Sequence, residues 1–197
     1  MLRTVVLLAV ACLSALVHIA AEYRGPRALV YVCKPLTTTL LIAAVMVAGE
    51  DSRYRTLILA GLVLSLAGDV FLMLPRDLFL PGLISFLLAH LAYIAAFGFR
   101  ASVIWLIPYA LIALVVLRLL WPGVPKAMRV PVIVYVAALI VMAWQSIPRV
   151  PIGGALFVAS DATLAWNRFR TPFRAAQAVI MSTYVAAQVL IAATTIR

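Results

Sequence analysis

Residues 65–74 read SLAGDVFLML, and a single charged side chain, Asp69, stands in a run otherwise suited to hydrocarbon. A charge at bilayer depth costs about 2.5–3.5 kcal/mol even on insertion scales, so an intramembrane carboxylate marks function by default. The run has companions along the whole chain. Apolar stretches of the length that crosses a bilayer recur near residues 2–21, 29–48, 56–75, 78–97, 101–120, 130–147, 151–167 and 172–196. The separators, such as EYRGPR, GEDSRYR, WPGVPKAMR and NRFRTP, are built of Pro, Gly and Arg, as turns are. The expected fold is therefore an all-α polytopic bundle of eight transmembrane helices. It forms one transmembrane domain over residues 1–197, with no room in its turns for a soluble domain.

Composition agrees. The 197 residues are 66% hydrophobic and 11% charged, too little polar material to clothe a soluble core. The first stretch is longer than a signal-peptide core and lacks a clean small-residue cleavage site, so it is read as the first span. The two cysteines, Cys12 and Cys33, have neither CxxC spacing nor a His cluster, which argues against a disulfide framework or a zinc site. The net charge of +10 is spread without a basic run, so nucleic acid is not an expected partner and anionic lipid headgroups are. Ten of the 16 cations, Lys34 among them, fall at odd-numbered turns or the helix ends beside them. The other six, including Arg3 and Arg197, fall at even turns and termini, a bias that places the odd turns inside.

Intramembrane polar residues gather on one side. Spans three and seven cross in the same direction, and each carries one carboxylate, Asp69 or Asp161, in its last third. Lys34 at the head of span two and Tyr135 early in span six fall in the same zone. His90 and Tyr93 lie near the middle of span four, Asn167 closes span seven, and Tyr184 and Gln188 are one turn apart on span eight. AGDVFL and ASDATL match as Ala-small-Asp-x-x-Leu at an offset of 92 residues. At that offset Gly61 meets Gly153 and Lys34 meets Lys126. The echo predicts two parallel four-helix repeats with a site between them.

Two carboxylates in one low-dielectric pocket resist ionising together, which suits one to serve as acid and the other as base. Cleavage of an acid-labile ether, peptide hydrolysis by an aspartyl dyad and proton-coupled transport all fit that pair. Spacing alone does not choose among them. Pro35, Pro75, Pro108, Pro131 and Pro151, read as lying mostly near span ends, weigh against the broken helices of a transporter.

CKPLTTTLL, SLAGDVFLML, FLPGLISFLLAHLAYIAAFG, GALFVASDATLAWNRF and STYVAAQVLI follow one another between about residues 31 and 192. Together they resemble the YhhN-like lysoplasmalogenase family. The resemblance implies an eight-helix integral membrane hydrolase, at home in the bacterial inner membrane. Such enzymes cut the vinyl ether of a lysophospholipid to a fatty aldehyde and glycerophosphocholine or glycerophosphoethanolamine, with no metal or other cofactor. Under that reading Asp69 and Asp161 are the acid/base pair and Lys34 meets the substrate phosphate. Asn167, His90, Tyr93, Tyr135, Tyr184 and Gln188 position the substrate and water. Phe71, Phe79, Phe86 and Trp166 are the expected lining of a groove for the lipid tail.

Overall fold

The computed structural model describes residues 1–49 and 51–196. Glu50, in the second turn, and the terminal Arg197 lie outside the described residues. Eight α-helices follow in order: α1 (Leu2–Arg24), α2 (Arg27–Met46), α3 (Arg53–Met73), α4 (Phe79–Phe97), α5 (Leu106–Leu120), α6 (Arg129–Ser146), α7 (Pro151–Phe169) and α8 (Ala176–Ala193). Short 3₁₀ turns flank α5 and precede α6.

Local chemistry sets the boundaries. Gly25 and Pro26 separate α1 from α2, and Ser52 caps α3 by accepting the Arg55 N–H at 3.1 Å. Gly98 takes a positive φ of 70° where α4 ends, and Pro151 opens α7 at a first-turn position that needs no N–H donor. Pro35 departs from the expected placement near a span end. It lies inside α2, directly after Lys34.

Among the described residues seven helical segments are long and apolar enough to cross a membrane. The eighth, α7, has 19 residues, enough to cross. Its apolar content is diluted by Gly153, Gly154, Ser160, Asp161, Asn167 and Arg168, so hydropathy alone passes it over. The helix that carries the second carboxylate is thus the least apolar: Gly153, Gly154 and Ser160 are buried, and Asp161, Asn167 and Arg168 line a cavity.

Within each half, neighbours in sequence pack as neighbours in space: α1 on α2, α2 on α3 and α3 on α4, then α5 on α6, α6 on α7 and α7 on α8. The halves meet mainly where α4 packs on α6 and where α8 packs on α1 and α2. The glycines paired by the sequence echo sit against different neighbours. A Cβ on Gly61 would strike the Tyr93 ring of α4, and one on Gly153 would crowd Val150 and approach the Ala187 carbonyl of α8. Small residues of this kind let transmembrane helices approach closely where no hydrophobic effect drives them together. Phe157 occupies the centre, fully buried, with ring contacts to His90 at 5.1 Å, Tyr184 at 5.6 Å and Tyr93 at 6.3 Å. The first two are edge-to-face, the geometry that the ring quadrupoles favour.

Helix α5 differs from the rest. Leu120 is its one buried residue, while Leu111, Leu114 and Val115 are more than half exposed. It leans on α6 and α7 at the edge of the bundle.

Candidate active site

Asp69, near the end of α3, is 2% exposed. Its Oδ2 accepts from Thr38 Oγ1 of α2 at 2.7 Å and from the Tyr184 hydroxyl of α8 at 2.8 Å. Lys34 Nζ stands 3.9 Å from Oδ1, at the outer limit of an ion pair. Behind Tyr184 runs a relay of directional bonds. The Tyr93 hydroxyl donates to Gln188 Oε1 at 2.7 Å, and Gln188 Nε2 donates to the Tyr184 oxygen at 3.3 Å.

Asp161 sits on α7, one turn further from its helix end than Asp69 is from the end of α3. Its side chain is 12% exposed. Oδ2 accepts from the Tyr135 hydroxyl of α6 at 2.6 Å, with His90 Nε2 of α4 at 3.4 Å. His90 Nε2 is also 3.1 Å from the Tyr135 oxygen. Because the Tyr135 proton is committed to Asp161, the imidazole carries its proton on Nε2 and donates to Tyr135. Here too a relay ends on a carboxylate.

Both carboxylates line one cavity of about 400 Å³, together with Lys34, Asn167, Arg168 and Tyr184. That is room for several waters or a polar headgroup. A second, almost wholly apolar groove runs between α4, α5, α6 and α7. It shares Leu72, Phe79, Phe86, Leu164 and Asp161 with the polar cavity. Among the described residues Asp161 is the one acidic or basic side chain in that groove, whose walls include Ile112, Ala113, Val116, Leu139 and Val158.

The nine residues singled out from sequence therefore divide. Asp69, Asp161, Lys34, Asn167 and Tyr184 face the polar cavity, and Tyr135 faces the apolar groove. His90 is fully buried behind Tyr135, and Tyr93 and Gln188 are fully buried behind Tyr184, as supports rather than walls. Asn167 Oδ1 accepts the Phe173 N–H at 3.2 Å, holding the α7–α8 turn at the cavity mouth. Of the four aromatics expected around a tail, Phe79 and Phe86 line the groove. Phe71 and Trp166 do not, since they point from other faces of α3 and α7.

Thr38 adds a residue that the sequence pattern does not mark, although it lies one helical turn after Lys34 and so on the same face of α2. Arg168 is a second addition. It donates to Asp77 Oδ2 at 2.6 Å and lies 4.9 Å over the Phe79 ring, tying the α3–α4 turn to the end of α7. The Arg168 hydrogen bond holds the Asp77 carboxyl below the usual carboxylate range. Among the described residues no three His, Cys, Asp or Glu side chains gather as a metal site would require.

Fold and cavity together define a multi-pass helical membrane protein with two carboxylates on one cavity between the halves of its bundle. Comparison with known proteins narrows the class: residues 29–195 match the YhhN family, and the chain belongs to it. It is 31% identical over 195 residues to the protein designated uncharacterized membrane protein YhhN of Escherichia coli O157:H7, covering 91% of this chain and 93% of that one. Lysoplasmalogenase TMEM86B of Homo sapiens is 34% identical over 172 residues, covering 83% of this chain and 74% of the relative. Lysoplasmalogenase TMEM86A of Homo sapiens is 35% identical over 154 residues, covering 70% and 64%. No solved structure matches the chain.

Proposed function

We propose that this protein is a lysoplasmalogenase, hydrolysing the vinyl ether of lysoplasmenylcholine or lysoplasmenylethanolamine with Asp69 and Asp161 as its acid/base pair. The observation that carries the reading is the junction at Asp161, where an apolar groove meets a polar cavity holding a second carboxylate. A single-chain lipid has that shape: an apolar tail for the groove and a polar glycerol end on the cavity side, with the ether bond between them. The relatives named lysoplasmalogenase support the same substrate class.

The chemistry follows from the positions. Asp161 Oδ1 has no hydrogen-bond partner among the described residues, and the residue faces both compartments. It gives its proton to the β-carbon of the alkenyl ether, and the ether oxygen shares the resulting positive charge as an oxocarbenium ion. Asp69, ringed by Thr38, Tyr184 and Lys34, keeps acceptor character. It stabilises that cation and takes a proton from the water that adds to the α-carbon. The hemiacetal then collapses with proton transfer to the glycerol oxygen, releasing aldehyde and glycerophospho-alcohol and restoring both carboxyl groups. The pair is comparable to the two carboxylates that flank an oxocarbenium-like state in glycoside hydrolysis, an analogy of chemistry and not of fold. Among the described residues the two carboxylates share no hydrogen-bond partner, which favours flanking groups over a single aspartyl-protease dyad.

The test is aldehyde release by purified protein from lysoplasmenylcholine and lysoplasmenylethanolamine. In deuterated water the aldehyde should carry one deuterium on the carbon next to the carbonyl, delivered by the protonation step. Aldehyde without that label, or no aldehyde from either lipid, sinks the proposal.

A further inference from the structure

Beside the carboxylate cavity lies a second polar compartment of about 420 Å³, formed where α1 turns into α2. The two compartments share Lys34, Leu72 and Gln177. Its walls follow from helical periodicity: His18 and Glu22 are one turn apart on α1, while Arg27, Tyr31 and Lys34 fall on one face of α2. Three cations, Arg24, Arg27 and Lys34, meet one anion there. Among the described residues Glu22, Arg24 and Arg27 form no ion pair with one another or with anything else. All three are exposed at this turn, so their charges remain free to meet a ligand that enters the shared polar space. A second feature points the same way. His18 is 2% exposed, lines this space, and its buried Nδ1 has no hydrogen-bond partner. A buried polar atom left unsatisfied costs free energy that a bound group would recover.

We infer that this compartment is a headgroup subsite selecting a zwitterionic phospho-amine. Lys34 and Arg27 hold the phosphate, His18 meets the ligand's polar atoms through its unpartnered Nδ1, and Glu22 takes the ammonium with the Tyr31 ring beside it. The inference rests on the lysoplasmalogenase reading and deepens it. Phosphate binding alone would need only the cations; Glu22 makes sense if the ligand also carries a positive charge. Lys34 stands where phosphate and vinyl ether must part company, within reach of both compartments.

The experiment compares three alkenyl lysolipids with the same chain, bearing phosphoethanolamine, phosphocholine or phosphate alone, on the full-length protein in detergent. Wild type is expected to favour the two amine headgroups in kcat/KM. Glu22 is exposed and unpaired, so Glu22→Gln leaves folding intact; it should reduce the amine-over-phosphate preference by about tenfold, through KM. Arg27→Gln should instead raise KM for all three lipids. Aldehyde release with no preference in wild type, or with a preference that Glu22→Gln does not move, overturns the subsite and leaves the reaction standing. If wild type releases no aldehyde, the reaction is wrong, and the subsite is judged by binding. Lysophosphatidylethanolamine should then raise the melting temperature more than lysophosphatidic acid does, and Glu22→Gln should abolish that difference; equal shifts overturn the subsite as well.

Discussion

The two halves of the bundle hold their carboxylates through corresponding helices but in different surroundings. Asp69 is on the third helix of the first half and receives hydrogen bonds from the second helix, through Thr38, and from the last helix of the other half, through Tyr184. Asp161 is on the third helix of the second half; its neighbours are Tyr135 on the second helix and His90 on the last helix of the other half. Element for element the pattern repeats, although the partner residues do not match in kind or register. What differs is the outlook. Asp69 is enclosed, with a lysine at the edge of ion-pair range, and Asp161 opens onto an apolar groove. Similar placement in the two halves has thus left one carboxylate enclosed and the other facing two compartments, the asymmetry on which the proposed acid/base roles rest.

That comparison breaks most directly at the carboxylates. Asp161→Asn and Asp69→Asn keep size and polarity but cannot move a proton. Each should cost about 10²–10⁴-fold in aldehyde turnover, measured on monodisperse protein with an unchanged helical spectrum. The double variant should be little worse than the poorer single one, because the two act as a unit. Near-normal turnover by either single variant makes that residue structural.

The supporting tyrosines sharpen the contrast. Tyr135→Phe removes the shortest bond to Asp161 and also leaves His90 Nε2 without its nearest acceptor. A loss of about 10–100-fold in kcat is expected, the scale of a hydrogen bond to a charged group. Tyr184→Phe should cost less, since Asp69 keeps Thr38 and Lys34. Equal losses, or the reverse order in parallel kcat measurements, would remove the asymmetry.

Substrate selection gives a smaller effect. Ala113 of α5 lines the apolar groove, so Ala113→Phe should penalise long alkenyl chains over short ones by about tenfold in kcat/KM, with kcat for the short chain little changed. A chain-length profile parallel to wild type would place the tail elsewhere. The smallest effect expected is at Asp77. Its carboxyl is held below the ordinary range in the folded protein, so the contribution is complete above the unfolded-state pKa and is lost as pH falls through the folded one. Melting curves of wild type and Asp77→Asn should differ slightly at neutral pH and converge in acid. A gap that widens on acidification would assign Asp77 another role.

Helix positions were legible in the sequence to within a few residues because bilayer thickness and Pro/Gly punctuation both act locally. The inclusion of α7 shows where a purely apolar criterion fails: a helix can belong to the bundle because of its polar residues. The gathering of Asp69, Asp161, Lys34, Tyr135 and Tyr184 on one side also followed from counting depth along alternating spans. Counting could not separate cavity walls from the residues behind them. Depth places a side chain along the membrane normal, whereas rotation about the helix axis decides what it faces. Tyr93 and Gln188 share the required depth but turn toward each other. Thr38 carries no signal in the sequence because threonine is unremarkable in a transmembrane helix until a carboxylate is seen across from it.

By itself, the sequence determined the class of protein, the number and extent of its helices and the identity of the two buried charges. Each of these depends on the free energy of placing particular groups in hydrocarbon, which is a property of composition and order along the chain. Only the tertiary structure decided that each carboxylate ends a separate hydrogen-bond relay, that Asp161 alone borders the apolar groove and that Glu22 and His18 face a space shared with Lys34. Those facts arise from how the helices pack and rotate against one another, with Gly61 and Gly154 permitting close approach. Packing is set by contacts between residues far apart in sequence, and no local reading contains them.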